Sequence, residues 1–367
     1  MKANARGIFL TGVTGVLGRE LVSELLLKTE AKIYLLIRGR KNLSHVDRAR
    51  KILASKGLDK LVGTRVQVME GDITLPLFGL SPDDHVSLAR DVTHFFHVAA
   101  LTALNGSERD CNQVNLGGTR EALKIAALLR EKGCLERFYY YSTAFVAGSL
   151  QTYCSLEDEL PREPSFANFY ESSKYASENE VRAALAGGLP ATIFRPSIVV
   201  GDSKTGEVSE FNVIYPFMKL FAHGILKRLP TRLDNSFNIV PIDFVTNASV
   251  HIAFLPESVG KTYHLVTRRQ PTIEMLINVA AEEYPQLPSI EIIDPEEFSK
   301  EELGPNEQFV FGMLEPYLGY LNDHLTFDTR NTEAALKGSG LAFPETDLDF
   351  LRRLIQYAVE AGYLVVQ

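Results

Sequence analysis

The chain has 367 residues, room for two domains at roughly 100–200 residues each. Its 45% hydrophobic and 23% charged content excludes a disordered or fibrous protein. Against 46 Asp and Glu stand 38 Lys and Arg, a net charge of −8 that argues against nucleic acid or an anionic membrane as the main partner, since phosphate binding needs a basic face. Cys111, Cys134 and Cys154 make no C-x-x-C and the histidines no H-E-x-x-H, so no disulfide framework or metal site is expected. The first residues lack the apolar core of a signal peptide, and no window approaches ~18 uninterrupted apolar residues. The expectation is a cytoplasmic protein in a reducing compartment, with no transmembrane segment.

Apolar runs of strand length at residues 7–10, 33–37, 66–70, 94–98, 137–142 and 191–194 alternate with helical patterns at 17–28, 46–56, 116–131 and 174–185. Such βα repeats predict an α/β fold of Rossmann type. Its doubly wound parallel sheet would place ligands beyond the strand ends, near 11–18, 38–41, 72–73, 99–101 and 143–148. After Arg195 the rhythm breaks into the aromatic and aliphatic stretch 202–235; strands return at 238–240 and 263–266, and a helix closes the chain at 347–363. Residues 1–201 and 236–268 are therefore assigned to a nucleotide-binding domain. Residues 202–235 and 269–367 are assigned to a smaller, discontinuous, C-terminal substrate-binding domain.

The loop TGVTGVLG at 11–18 sets Gly12, Gly15 and Gly18 three apart between a strand and a helix. Glycine allows the tight turn and the close approach of backbone to a pyrophosphate, which the helix N-terminus then attracts. Twenty residues on, where NAD enzymes carry an acid, stands Arg38, with Arg40, Lys41, Arg48 and Arg50 nearby. A guanidinium suits a 2′-phosphate, which selects NADP(H) over NAD unless these arginines are only a solvated basic face. Asp72 and Ile73 end the third strand and read either as the adenine seat or as an ordinary turn.

Tyr170 and Lys174 stand four apart in FYESSKYASE, one face of a helix. A phenol is a poor acid near neutral pH until an ammonium and a second hydroxyl are brought beside it. Thr143, with Ser142 beside it at the end of a strand, is the hydroxyl candidate.

With these motifs in order the chain resembles the extended short-chain dehydrogenase/reductases. Besides the glycine loop they include Asp72-Ile73, His97-Val98-Ala99-Ala100, Asn115 in VNLGGT, Thr143, Tyr170, Lys174 and Arg195-Pro196. LLIRGR, STAFVAG, RPSIVVGDSKTG, NIVPIDFVTNA and LTFDTRNTEAAL make it similar, more narrowly, to the branch of thioester reductases and fatty acyl-CoA reductases with a male-sterility-type NAD(P)-binding domain. The resemblance implies Thr143, Tyr170 and Lys174 as catalytic residues. Tyr170 would give a proton or hydrogen bond to the carbonyl oxygen, Thr143 would bond the same oxygen, and Lys174 would bind the nicotinamide ribose. It implies that NADP(H) lies along Gly12, Thr14, Gly15, Val16, Leu17, Gly18, Arg38, Arg48, Asp72, Ile73, Ala99, Ala100, Asn115, Tyr170, Lys174, Pro196, Ser197 and Ile198. Asn115 would steady a water or the active-site backbone, or simply cap a helix.

The activity so implied is NADPH-dependent reduction of an acyl thioester to aldehyde, and onward to alcohol if a second hydride follows. An acyl-CoA or acyl-carrier protein would be the donor, arriving already activated, since the two domains leave no residues for activation or carriage. Residues 211–229 are apolar on almost every side and read either as buried core or as the wall of an acyl pocket. Lys227, Arg228 and Arg232 read either as a phosphate seat for CoA or phosphopantetheine or as a charged rim. The same scaffold serves nucleotide-sugar epimerases and hydroxysteroid-type dehydrogenases, which form the alternative; a non-catalytic NADP-binding protein is disfavoured by the catalytic trio.

Overall fold

Seven strands make the central sheet: β1 (Gly7–Thr11), β2 (Lys32–Ile37), β3 (Val66–Glu70), β4 (His94–His97), β5 (Arg137–Tyr141), β6 (Ala191–Pro196) and β7 (Thr262–Leu265). The computed structural model describes residues 5–40, 42–148, 154–211, 213–287, 289–322 and 325–365, the side chains of Glu302 and Asn306 apart. All seven strands are parallel, in the order β7-β6-β5-β4-β1-β2-β3. The order reverses between β1 and β4, the switch point at which doubly wound sheets open a crevice for nucleotide.

Helices cover both faces, so even the middle strands are apolar runs and every residue of β1 is buried. Helices Val16–Lys28 and Ile242–Ala253 pack on one face, through Leu21, Leu25, Val245 and Ala248. Helices Gly118–Lys132 and Phe169–Ala186 pack on the other, through Ile125, Leu129 and Val181. Aromatic rings ladder across the strands. Phe96 stacks on Tyr139 at 4.2 Å on the first face, and Phe9, Phe95 and Phe138 follow one another at 4.8 and 5.2 Å on the second. Each such ring buries some 1.5–3 kcal/mol of apolar surface and fixes the register of its strand.

The expected strands fall within two residues of those observed, with one change of partner. Ile239–Pro241 stays out of the main sheet and pairs in parallel with Ile198–Val200. The helix expected at 174–185 begins at Phe169, because Asn168 caps it by accepting the Glu171 N–H at 3.0 Å. Tyr170 thereby enters its first turn. The stretch 211–229 is not one helix: only Ile214–Ala222 is helical, Gly224 turns the chain at φ +64°, and Arg228–Pro230 pairs as a strand with Glu291–Ile293.

A second core gathers around helices Ile214–Ala222, Ile273–Glu283, Pro305–Leu318 and Leu348–Glu360. Ala335 and Leu336, from the short helix Arg330–Leu336, pack instead in the same cluster as Ile8 and Leu10 of β1. Among the described residues no helix is long and apolar enough to cross a membrane.

One ion pair ties these parts together. Arg195 of β6 and Glu178 of the Phe169–Ala186 helix, both fully buried, meet at 2.6 and 3.1 Å. Arg195 also donates to the carbonyls of Leu156 and Glu159. Arg195→Met strands the carboxylate in the core and should lower the unfolding free energy by about 3–5 kcal/mol in urea denaturation, while Glu178→Met/Arg195→Met recovers part of the loss. A single-variant loss below about 1 kcal/mol would contradict this role for the pair.

Candidate active site

The crevice begins where β1 ends. The Thr11 hydroxyl bonds His97 Nδ1 at 2.9 Å and accepts the Ala99 N–H at 3.4 Å, joining the tips of β1 and β4. Gly12 then turns with φ +83°, and a Cβ there would lie 2.5 Å from the Ala99 nitrogen; a Cβ on Gly18 would lie 2.1 Å from the Gly12 carbonyl oxygen. Only glycine fits either place. Gly15, exposed, precedes the Val16–Lys28 helix without a side-chain cap, so the first N–H groups of that helix face the crevice unpaired by side chains. The Thr14 carbonyl accepts from Arg19 Nε at 3.2 Å, while Val16 leans on the second core and Leu17 on the first. This cradle fits the pyrophosphate of a dinucleotide.

Arg38 emerges from β2 with its guanidinium 3.4 Å from Asp72 Oδ2, and Arg48 donates to the Arg38 carbonyl. Burial, with Arg40, Arg38 and Arg19 around it, holds Arg48 below its ordinary pKa. Four guanidinium groups crowd one corner of the crevice. Arg19 was not among the sequence candidates, although its place one residue after Gly18 marks it. Arg50 turns away to Asp47 at 3.5 Å, and Lys41 lies outside the described residues. Asp72 accepts from the Thr74 N–H and hydroxyl at 2.9 and 2.8 Å; burial raises its pKa, but these bonds and Arg38 outweigh it and leave the carboxyl below its usual range. Ile73 packs against Gly118, and Ala99 and Ala100 lie half-buried beyond β4.

Across the crevice the three catalytic candidates converge. Lys174, buried, donates to the Tyr141 carbonyl at 2.6 Å and lies 4.3 Å from the centre of the Tyr140 ring. Burial lowers its pKa to about 7, against the pull of Glu178. Burial raises the Tyr170 phenol to about 12, and the Thr143 hydroxyl draws it back down. Tyr170 is therefore protonated at neutral pH, and the expectation that Lys174 holds the phenol acidic is not met: burial outweighs the Thr143 hydroxyl, and Lys174 is not among the groups that lower it. Thr143 Oγ1 accepts the Phe145 N–H at 3.3 Å and lies 3.5 Å from the Pro196 carbonyl. Ser142, beside it, has a buried hydroxyl with no protein partner.

Asn115 sits in a π-helical turn, Asn112–Gly117, that aims its side chain inward. It accepts the Leu101 N–H at 2.7 Å and donates to the Leu101 carbonyl and Ser173 Oγ at 3.1 and 2.9 Å. Its amide is used up on the backbone and on Ser173, so it holds the loop after β4 against the Tyr170 helix and has no hydrogen left for a cofactor. Ser197 donates its N–H to the Leu265 carbonyl at 3.3 Å, and its buried hydroxyl has no protein partner.

Beyond Ile198 opens an apolar cavity of about 80 Å³, measured as space open to the centre of a water molecule. Ile214, Phe217, Met218 and Phe221, from the stretch read as core or wall, line it, with Tyr320 from the other side. The stretch is both, since Ile214 and Met218 also belong to the second core. Of the three residues read as a phosphate seat or a charged rim, two stand in ion pairs. Arg228 is taken by Glu307 at 2.8 Å, and Arg232 by Asp294 and Glu296 at 3.0 and 3.2 Å, so their charges are spent within the domain.

The sequence pattern of the family described as "Male sterility protein" matches residues 10–249. The nonribosomal peptide synthetase asaC of Aspergillus flavus is 30% identical over 97% of this chain and 36% of its own length. The putative fatty acyl-CoA reductase CG8306 of Drosophila melanogaster is 27% identical over 69% of this chain and 55% of its own. Among solved structures, the terminal R domain from the myxalamid PKS-NRPS biosynthetic pathway superposes with a TM-score of 0.85 at 27% identity, covering 99% of this chain and 93% of that one. UDP-glucuronic acid 4-epimerase from Bacillus cereus, at 15% identity and a TM-score of 0.69 over 97% and 99% of the two chains, shares the fold. The chain thus belongs to the male sterility protein family. It spans about a third of asaC and about half of the Drosophila reductase.

The depressed pKa of Lys174 has a measurable sign. Between about pH 7 and its unfolded value near 10.4 the unfolded chain holds a proton there that the folded chain does not, so stability rises with pH. Urea melts at pH 7, 8 and 9 should show the wild type gaining on Lys174→Met by up to about 1.4 kcal/mol per pH unit. Parallel curves would contradict the shift.

Proposed function

We propose that the protein reduces a carrier-bound acyl thioester to the aldehyde with NADPH. The observation that carries this reading is a cavity lined almost wholly by apolar side chains, whose Tyr320 bonds Glu171 on the helix that carries Tyr170 and Lys174. Such a lining accepts an acyl chain, whereas a nucleotide sugar would need polar groups in the same place. The synthetase asaC aligns over 97% of the chain, substrate part included, and the Drosophila reductase over 69%, which favours a carrier-tethered thioester over acyl-CoA. The neutralised Arg228 and Arg232 point the same way. The unpaired Cys111, Cys134 and Cys154 fit a reducing, cytoplasmic setting.

The bound nicotinamide would supply a hydride. Gly12, Gly15 and the open helix start would hold its pyrophosphate, Arg38, Arg48 and Arg19 a 2′-phosphate, and Lys174 the ribose. The chain's own hydroxyls act on the carbonyl oxygen: Tyr170 and Thr143 bond it, and as charge develops the Tyr170 proton passes to it, an oxyanion stabilisation worth several kcal/mol. Solvent then returns a proton to the phenol, so that one proton is taken up for each thioester reduced. With hydride on carbon and proton on oxygen the adduct is a hemithioacetal; its collapse breaks the C–S bond, returns that proton to the thiol and leaves the aldehyde. On this reading residues 1–201 and 236–268 serve the nucleotide, and 202–235 and 269–367 the substrate.

The test is a panel of carrier-protein and CoA thioesters with NADPH, followed by cofactor absorbance and aldehyde trapping. Carrier thioesters should be turned over best, and turnover of a UDP-sugar or sterol without any thioester would overturn the reading. Tyr170→Phe should lower kcat by 10²-fold or more with NADPH affinity retained. Arg38→Ala should weaken NADPH by about tenfold or more and leave NADH nearly unchanged, a preference lost if the 2′-phosphate is seated elsewhere.

A further inference from the structure

Tyr320 is buried at the boundary between the substrate part and the catalytic helix, and it touches three things at once. Its ring lines the apolar cavity. The same ring stands edge-on to Phe145, centroids 4.7 Å apart at 89°. Phe145 in turn gives its N–H to the hydroxyl of Thr143. Its own hydroxyl donates to Glu171 Oε1 at 2.5 Å and accepts from Asn168 Nδ2 at 3.0 Å.

Asn168 and Glu171 are the capping residues of the helix that carries Tyr170. Asn168 Oδ1 takes the Glu171 N–H, and Glu171 Oε2 takes the Ala167 N–H at 3.0 Å. Glu171 is 3% exposed, so its carboxylate depends on these donors, and its charge at the helix start is favoured by the helix dipole. A side chain that moved Tyr320 would move both hydroxyl-bearing segments: the Thr143 segment through the ring, the Tyr170 turn through the hydroxyl.

We propose that Tyr320 is a positioning residue through which an acyl chain in the cavity aligns Thr143 with Tyr170. The inference rests on the thioester reading for its substrate, but the contact itself does not. An acyl chain fills the space beside the ring and holds it against Phe145 and Glu171. A substrate too short to reach the cavity leaves the ring free to shift away. Chain length then enters kcat and not only binding.

Two measurements decide it. In steady state, Tyr320→Phe keeps the ring and loses the hydroxyl; kcat on dodecanoyl-carrier thioester should fall roughly fivefold to tenfold with KM near the wild-type value, and kcat on the acetyl thioester should fall distinctly less. Equal loss on both substrates, or a loss confined to KM, overturns the coupling. In hydrogen exchange with dodecan-1-ol as the probe, the wild type should show slower exchange at the amides of Ala167 and Glu171, which donate within the cap, and Tyr320→Phe should show none of this slowing while still binding the alcohol. Equal slowing in both proteins, or no binding of the alcohol to either, overturns it. The exchange arm needs no turnover, so coupling seen there with no thioester reduced would reject the proposed function and leave the role of Tyr320 standing.

Discussion

The arrangement depends on putting an ammonium inside a protein. Lys174 is buried between an aromatic ring and a backbone carbonyl, with one carboxylate one helical turn away and no direct partner for its charge. Glu178 is that carboxylate, and Arg195 and Arg182 hold it, at 2.6 and 2.9 Å. Burial opposes its ionisation, but Arg195 prevails and keeps its pKa at about 2. The row Lys174, Glu178, Arg195 therefore costs desolvation: Lys174 answers with a pKa lowered to about 7, and Glu178 and Arg195 with the hydrogen bonds between them. The ion pair orients the helix; the helix presents Tyr170.

That constraint explains the aromatic character of β5. Arg137–Tyr141 puts Tyr139 and Tyr141 on one face and Phe138 and Tyr140 on the other. Tyr140 forms the floor beneath the Lys174 ammonium, and the backbone of Tyr141 supplies the carbonyl. A strand of smaller residues would fill the sheet equally well and leave the ammonium without a surface to lie on. His97, stacked on Tyr140 at 6.2 Å, stays neutral, since burial and then Lys174 lower its pKa to about 3. No second positive charge competes for that floor.

Much of this was legible in the sequence because it rests on local pattern. Apolar runs define the strands, three glycines can occupy only one kind of loop, and four-residue spacing puts Tyr170 and Lys174 together whatever surrounds them. What was not legible depends on partners distant in the chain. Glu178 lies one turn beyond Lys174, yet its importance comes from Arg195; Tyr320 lies 149 residues from Glu171. Asn115 was read as a cofactor contact, a support for water or the active-site backbone, or a cap, and only the fold shows which backbone and side chain it holds, Leu101 and Ser173. The stretch 211–229 looked like one helix because its apolar content masks a glycine turn and a strand that pairs with residues 291–293. Periodicity cannot announce a partner that follows some sixty residues later.

The short helix Arg330–Leu336 belongs by position to the substrate part and by packing to the sheet, where Ala335 and Leu336 join the cluster of β1. The Asn331 N–H and Thr332 close that seam by donating to the buried Glu157, which also accepts from the His264 N–H of β7. Order of synthesis then matters. As the chain leaves the ribosome, the first strand emerges more than three hundred residues before the helix that completes its cover, and the nucleotide crevice waits through the whole of the substrate part with that flank open to water. The two parts are thus bound in time as well as in space: neither can be finished first, and a nascent chain held short of residue 336 would expose an apolar flank of its nucleotide-binding core to whatever chaperone or neighbour met it.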